Sequence, residues 1–235
     1  MGLIRRRSST LCYVERSDVK GVKPGFRASY NTVRKDASLD MLVDYGKLVE
    51  YIRNNQTERT PYLVGIDGPG GSGKSYMARR IESELPDVQV VRFDDFYVDT
   101  IDKTIDRKIG DHFDWIRLQE EVLVPLTQKK EANYQVYDWD LGRLHLWKTV
   151  SPHGIVVIDG VYSTRSELRH FYNLTVFVYA EYNVRLQRGI ERDGTKSRPK
   201  WVQEWMPEEV LYMDSDHKPR QNADMVIQGI EKVST

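Results

Sequence analysis

The chain has 235 residues, which is long enough for one sizeable core and falls in the size range of single α/β domains. Its 35 basic and 35 acidic side chains cancel, so no global field attracts nucleic acid or an anionic membrane, and we expect neither as a partner. One cysteine excludes an intrachain disulfide, and no apolar run follows the basic start as in a signal peptide, so we expect a cytoplasmic protein.

Residues 1–60 are predicted to form an N-terminal extension that consists of a basic arm and a helix. Three adjacent arginines, Arg5 to Arg7, are typical of a solvated arm and receive no function. From Ser38 onward, apolar side chains recur at helical spacing after a potential N-cap, which predicts a helix that runs to Arg53. Residues 61–235 are then left for the main domain.

Five short apolar segments in the main domain read as strands, with helical patterns between them. They are Tyr62 to Ile66, Gln89 to Phe93, Ile155 to Ile158, Thr175 to Tyr179 and Met225 to Ile227. Segments rich in Val and Ile with little polar alternation are expected when helices cover both faces of a parallel sheet. The predicted class is α/β, with a five-stranded, mainly parallel sheet in a three-layer sandwich.

A glycine-rich segment, Gly68 to Ser75, lies directly after the first predicted strand and before a helical pattern. Its glycines allow the backbone N–H groups to converge on a β-phosphate at the positive end of a helix. Lys74 would reach the β and γ oxygens, and the Ser75 hydroxyl would bind Mg²⁺. The full pattern and its placement favour this reading over an ordinary glycine-rich turn. The predicted nucleotide-binding residues are Gly68, Gly70, Gly71, Ser72, Gly73, Lys74, Ser75 and Tyr76, the last standing where a second hydroxyl residue often follows.

Three aspartates follow predicted strands. Asp94 and Asp95 come directly after the second strand, and Asp159 comes directly after the third. Ligands of parallel sheets bind beyond the carboxyl ends of the strands, where an acid can accept a hydroxyl proton or hold magnesium. Each of these residues could instead cap a helix or form a turn, with even odds for Asp95.

The combined motifs resemble the uridine kinase and phosphoribulokinase family, which also includes nicotinamide riboside and pantothenate kinases. The resemblance extends from about Tyr62 to Ile227. It rests on the phosphate loop and on Phe93 to Tyr97, Phe113 to Trp115, Val136 to Trp139, Val157 to Gly160, Arg188 to Asp193, and Ala223 to Ile227. It implies the P-loop NTPase fold, an acceptor-binding insertion at about residues 95–150 and a lid at about residues 185–205.

The resemblance also implies roles for individual residues. Asp94 matches the family's catalytic base, with Asp95 as the second choice, and Asp159 stands with Ser75 near the metal. The segments that line the acceptor pocket contribute Asp95, Tyr97, Asp114, Tyr137, Asp138 and Arg143. Uridine kinases carry a histidine that contacts the base where this chain has Gly142, with Arg143 and His145 nearby.

Arginines recur in the predicted lid. Arg185, Arg188 and Arg192 share one helical face, and Arg198 follows in a segment that is predicted to be flexible. Arginines at this spacing are usually a solvated face, but guanidinium groups can also neutralise the charge of a transferring phosphoryl group. Because the resemblance places this helix in the lid, Arg188 and Arg192 are predicted to act in catalysis with Lys74 and Asp94.

These patterns together predict a kinase that uses Mg²⁺ and ATP, or another nucleoside triphosphate. It would transfer the γ-phosphate to the hydroxyl of a nucleoside-like small molecule. Two alternatives remain open: a nucleotide-binding regulatory protein without such activity, and a kinase for another acceptor such as a vitamin precursor. The oligomeric state also stays open, and a homo-oligomer is one of its outcomes.

Overall fold

The computed structural model describes residues 44–56, 61–98 and 109–229. The basic arm and Ser38 lie outside these ranges, as does part of the predicted acceptor insertion. The helices are α1 (Tyr45–Asn55), α2 (Lys74–Glu84), α3 (Trp115–Leu118), α4 (Val124–Thr127), α5 (Tyr182–Asp193), α6 (Arg198–Lys200), α7 (Met206–Asp214) and α8 (Pro219–Asn222). The strands are β1 (Tyr62–Asp67), β2 (Val88–Arg92), β3 (Ala132–Asp138), β4 (Arg143–Val150), β5 (Ile155–Asp159), β6 (Leu174–Tyr179) and β7 (Met225–Gln228).

Five strands form a parallel sheet in the order β2-β5-β1-β6-β7, which confirms the predicted class and strand number. The strands begin and end within one residue of the sequence-based bounds. Crossover helices cover both faces, as parallel pairing requires. β1 is flanked by β5 and β6, so the glycine-rich loop opens at the middle of the sheet edge.

Alternate residues of each central strand face two different cores. In β1, Val64 and Ile66 pack with α1 and α2, whereas Leu63 faces the opposite core with the aromatic side chains of the segment after β2. This alternation is the period of two that places successive side chains on opposite faces of a strand. The arrangement gives the predicted three layers.

Helix α1 differs from its prediction at its start. It begins at Tyr45, where the Asp44 side chain accepts a hydrogen bond from the Gly46 N–H group. Leu48 and Ile52 of this helix are buried in the same core as β1 and α2. Residues 45–55 therefore contribute to the core of the sheet, on the side of α2.

A two-stranded antiparallel hairpin, β3–β4, lies apart from the main sheet and was not among the predicted strands. All of β4 except Val150 is exposed, so its sequence carries no pattern of one buried and one solvated face. Its exposed apolar side chains include Leu146 and Trp147.

Among the described residues, no helix is long and apolar enough to cross a membrane.

Candidate active site

The glycine-rich loop joins the end of β1 to the start of α2 through backbone conformations that favour glycine. Gly68 has a φ of 139°, and a Cβ atom there would stand 2.2 Å from the Val178 carbonyl oxygen. Gly73 has a φ of 106° and precedes the first turn of α2. The unsatisfied N–H groups of that first turn, together with the loop, form the kind of concave surface that binds phosphate.

Lys74 lies inside this loop with only 7% of its surface exposed. Its Nζ donates a hydrogen bond of 3.0 Å to the Pro69 carbonyl oxygen, across the loop. The buried Ser72 hydroxyl has no partner within the part of the chain that the structure describes. A cation held against its own loop is available to a polyphosphate that enters the same cradle.

Asp159 and Ser75 form a pair of oxygen ligands beside the loop. The Ser75 hydroxyl hydrogen-bonds to the Asp159 carboxylate, and Oδ1 of this buried aspartate has no partner among the described residues. Burial raises the pKa of Asp159, and the positive charge of Lys74 opposes that rise. A hydroxyl next to a carboxylate with one unused oxygen fits Mg²⁺, which prefers oxygen ligands.

The metal site would not be a dedicated protein cage. Within residues 44–56, 61–98 and 109–229, no group of three or more His, Cys, Asp or Glu side chains is placed to hold an ion. Mg²⁺ in kinase sites is usually held by one or two protein groups together with substrate phosphates and water. Ser75 and Asp159 match that requirement.

Asp94 lies in a 3₁₀ turn, Phe93–Phe96, directly after β2. Since β2 pairs with β5, with Arg92 opposite Asp159, the two aspartates emerge from neighbouring strand ends. The Asp94 side chain is accessible to solvent on one side, and protein atoms surround it on the others. This is the environment of a residue in an open cleft. Burial raises its pKa, Lys74 lowers it, Asp159 raises it and Arg192 lowers it.

Asp95 is held by residues of the hairpin. Its buried Oδ2 accepts hydrogen bonds from the Tyr134 hydroxyl at 3.0 Å and from Lys148 Nζ at 2.9 Å, so it ties the turn after β2 to both hairpin strands. The backbone carbonyl of Asp95 also accepts a bond from Arg117. Its carboxylate thus positions the hairpin, and Asp94 is the acid of the pair that faces Lys74.

Aromatic rings cluster where the turn after β2 meets the hairpin. The Tyr97 ring lies 5.0 Å from Tyr137 and 4.4 Å from Trp139, measured between centroids. Tyr137 is buried, whereas Trp139 is 61% exposed. The cluster forms an aromatic wall, and the Trp139 ring at its end is accessible to a further contact.

The remaining predicted acceptor residues have local partners. The Asp114 carboxylate accepts a bond from Arg117 N and caps α3, and Asp138 accepts from the N–H groups of Asp140 and Leu141 in the hairpin turn. These backbone bonds lower the pKa of Asp138. Arg143 stands opposite Asp138 in register and is exposed.

The arginines of α5 do not act as one solvated face. Arg185 is buried, and its Nη1 lies 2.9 Å from Oε2 of Glu209. Arg188 Nη1 donates to the loop carbonyl oxygens of Gly71 at 3.3 Å and Ser72 at 3.4 Å. The helix therefore packs against the glycine-rich loop, which explains why its arginines do not all face water.

Arg192 pairs with its neighbour Asp193 at 2.7 Å, and the charges of Asp94 and Glu209 also raise its pKa. Arg192 lies within the electrostatic reach of Asp94. Arg198 begins α6 and is exposed. Tyr76 interacts electrostatically with Tyr45 of α1 and with Arg80.

Two acids next to the loop, Asp67 and Glu209, were not predicted from the sequence. The buried Asp67 carboxylate accepts bonds from the N–H groups of Gly68, Tyr162 and Thr164 and from the hydroxyls of Thr164 and Tyr212. It could have been found, because an acid directly after an apolar strand is the same signal as at Asp159. Glu209 sits beside another glutamate in α7, and nothing in the sequence distinguishes them.

Comparison with known proteins gives a family match over residues 63–235, described as the Phosphoribulokinase / Uridine kinase family. The chain belongs to this family. The family is one of P-loop kinases, and the family resemblance inferred from the sequence is confirmed.

Curated relatives of this family member are 27–28% identical to it over the residues that align. A uridine kinase of Alkaliphilus metalliredigens is 28% identical over 142 residues, which cover 57% of this chain and 68% of the relative. The uridine kinase of Saccharomyces cerevisiae is 27% identical over 228 residues, or 87% of this chain and 44% of the relative. The uridine-cytidine kinase C of Dictyostelium discoideum is 27% identical, but this chain covers 33% of its length.

Two solved structures share the fold of this chain. A protein described as a possible uridine kinase from Bacillus stearothermophilus has a TM-score of 0.61 and 22% identity, with 78% of this chain and 97% of that chain covered. A putative fructose transport system kinase from Silicibacter has a TM-score of 0.55 and 17% identity, with 78% and 98% covered.

Proposed function

We propose that this family member transfers the γ-phosphate of ATP, or of another nucleoside triphosphate, to a hydroxyl group of a nucleoside-like small molecule. The observation that carries the proposal is the position of Asp94. This carboxylate lies within electrostatic reach of Lys74, Asp159 and Arg192, at the mouth of the glycine-rich cradle. Asp94, the proposed base, and the glycine-rich loop with Lys74, the proposed phosphate site, thus lie near each other.

The proposed division of labour follows from the chemistry of phosphoryl transfer. The loop N–H groups and Lys74 hold the polyphosphate, and Arg188 and Arg192 neutralise charge that spreads over the equatorial oxygens. Ser75 and Asp159 would hold Mg²⁺, which supplies charge neutralisation on the phosphate oxygens. Asp94 accepts the proton of the attacking hydroxyl, and the fixed placement of these groups lowers the entropic cost of the encounter.

The aromatic wall supports an acceptor that carries a planar ring. Tyr97, Tyr137 and Trp139 offer ring faces and edges next to the turn that bears Asp94, and stacking of a base on aromatic side chains is favourable for every base. The names of the relatives, uridine kinase and uridine-cytidine kinase, agree with a nucleoside. Gly142 lies in the hairpin turn, so base contacts there would come from the neighbouring side chains.

The domain division is part of the same proposal. Residues 61–235 would form the kinase domain, with the acceptor insertion at about residues 95–150 and the lid at about residues 185–205. Residues 1–60 would precede it, with α1 packed on the core. We also propose a cytoplasmic location, which suits a kinase that draws on cellular nucleotides.

A panel experiment tests the acceptor directly. The protein is incubated with Mg-ATP, or with Mg-GTP, and with nucleosides and vitamin precursors one at a time, and products are analysed by mass spectrometry. The expected result is a nucleoside product heavier by one phosphoryl group. Phosphorylation of a vitamin precursor alone would change the acceptor class, and nucleotide binding without turnover on any acceptor would favour a regulatory protein.

A further inference from the structure

Glu209 is a buried acid of α7 whose two carboxylate oxygens both face the nucleotide site. Oε1 accepts a hydrogen bond of 2.7 Å from the N–H group of Gly70, and Oε2 lies 2.9 Å from Nη1 of Arg185. Only 6% of the residue's surface is exposed. The carboxylate therefore uses one donor of the glycine-rich loop and one cation of α5.

The charges around Glu209 are those that would surround a polyphosphate. Burial raises the pKa of Glu209, whereas the Gly70 N–H group, Lys74 and Arg185 oppose that rise. Arg192 lies within the field of the same carboxylate. One internal anion thus stands beside Arg185 and next to three groups that the proposed function assigns to phosphate: the Gly70 N–H group, Lys74 and Arg192.

We propose that Glu209 is an internal counter-anion of the nucleotide site, which binds the Gly70 N–H group in the nucleotide-free protein and gives it up when a terminal phosphoryl group enters. The proposal rests on the proposed function. A phosphate oxygen and the Glu209 carboxylate compete for the same N–H group, and two anions side by side repel each other in a site of low dielectric.

This competition has two consequences of opposite sign. With the site empty, Glu209 compensates the buried charge of Arg185 and ties α7 to the loop, so it stabilises the protein. With nucleotide bound, the same carboxylate repels the phosphate, so it weakens the affinity for nucleotide. Its departure from Gly70 would also leave Arg185 available for the phosphate and would link nucleotide binding to the packing of α5 and α7.

A purely structural role of Glu209 leads to a different prediction. If Glu209 only shaped the loop for nucleotide, its removal would weaken both stability and nucleotide affinity. The counter-anion predicts lower stability together with tighter binding. The signs of the two effects therefore separate the explanations.

The decisive variant is Glu209→Gln, which keeps a carbonyl oxygen for the Gly70 N–H group but removes the charge. Calorimetric titration with Mg-ATP and with inorganic tripolyphosphate gives the affinities, and thermal unfolding without ligand gives the stability. We expect the dissociation constants to fall by about 5-fold or more, the lower range of typical couplings between sites, while the melting temperature of the empty protein also falls.

A matched control is Glu208→Gln, on the same helix. Glu208 accepts from the Gly110 N–H group at 3.3 Å and hydrogen-bonds with Tyr162, away from the loop, so its loss should leave the affinities unchanged. Unchanged or weaker binding in folded Glu209→Gln would overturn the counter-anion. Should that variant fail to fold, Glu209→Asp keeps the charge for Arg185 but is too short to hold Gly70, and it should also bind Mg-ATP more tightly. Weaker or unchanged binding of Mg-ATP by Glu209→Asp would also overturn the counter-anion proposal.

The outcome for the wild-type protein separates this inference from the proposed function. Absence of Mg-ATP binding to the wild type would remove the kinase proposal itself. Normal wild-type binding with no gain in the glutamine variant would remove only the assignment of Glu209.

Discussion

At the scale of single residues, Lys74 is the common neighbour of two acids, Asp94 and Asp159. Burial raises the pKa of both carboxyl groups, and the lysine opposes that rise in each. The two acids differ in what they contact: Asp159 receives the Ser75 hydroxyl, whereas no donor within the described residues hydrogen-bonds to the Asp94 carboxylate. This difference suits Asp159 for holding a metal ion and Asp94 for accepting the proton of a substrate hydroxyl.

Replacing Asp94 with asparagine should abolish proton acceptance but preserve the shape of the cleft. We expect turnover to fall about 10²- to 10⁴-fold, the usual contribution of a general base, with unchanged calorimetric affinity for Mg-ATP. Asp87→Asn is the control, since this exposed residue precedes the opposite end of β2 and asparagine tolerates its φ of 52°. Turnover at the wild-type level in Asp94→Asn would exclude Asp94 as the base.

Replacing Asp159 with asparagine should affect stability and magnesium use in opposite directions. The buried charge of Asp159 is unfavourable in the nucleotide-free protein, so the neutral variant should unfold at the same or a higher temperature. The Mg²⁺ concentration for half-maximal turnover should rise about 10- to 100-fold, as when a group that supports a metal is lost. An unchanged magnesium requirement would show that Asp159 does not act toward the metal.

At the scale of elements, Asp159 is the last residue of β5, and the segment that follows it is held from both sides. The Asp67 carboxylate binds it at Tyr162 and Thr164. Farther along, buried Arg165 pairs with Glu167 at 3.0 Å and stacks over the Trp115 ring. The orientation of Asp159 therefore depends on a network that lies outside the cleft.

The Arg165–Glu167 pair predicts a pH dependence of stability. Burial alone raises the pKa of Glu167, but Arg165, Ser166 and a backbone bond outweigh it and lower the pKa to about 2. The ordinary value is about 4.3, so the pair stabilises the protein fully above that pH and is lost as pH falls toward 2. Glu167→Gln should cost roughly 1 kcal/mol at neutral pH, because solvent screens a pair that is partly exposed.

Urea unfolding at pH 7, 5 and about 3.5 measures this effect. The difference between wild type and Glu167→Gln should shrink at the lowest pH. Glu84→Gln is the matched control, since Glu84 is equally exposed but pairs with the half-exposed Arg80, and it should cost less than about 0.5 kcal/mol. Equal effects of the two substitutions would show that burial of the arginine does not matter.

At the scale of the whole molecule, the sequence predicted what depends on local pattern. The five strands, the loop and the acids after β2 and β5 follow from apolar runs and from the rule that ligands bind at the carboxyl ends of parallel strands. The hairpin was missed because both faces of β4 are solvated, so no alternation marks it.

Long-range partners could not be predicted from the sequence. Glu209 reaches Gly70 over 139 positions, and the same glutamate pairs with the buried Arg185. Helical spacing alone describes Arg185 as one of three similar surface charges. Asp95 is next to Asp94 in the sequence, where it ranks as the second choice for the base, but Tyr134 and Lys148, 39 and 53 positions away, hold its carboxylate at the hairpin.

The last prediction concerns how nucleotide binding spreads through the molecule. A ligand that binds only the folded state at 100 times its dissociation constant adds about 2.7 kcal/mol, which is about 5–10 °C in melting temperature at this chain length. Because α5 contacts the loop through Arg188, hydrogen exchange should slow in α5 as well as in the loop. Helix α1 packs on the sheet away from these contacts and should gain only the global protection. Lys74→Ala should lose most of the shift in melting temperature relative to its own ligand-free state; a full shift in that variant would mean that Mg-ATP binds elsewhere.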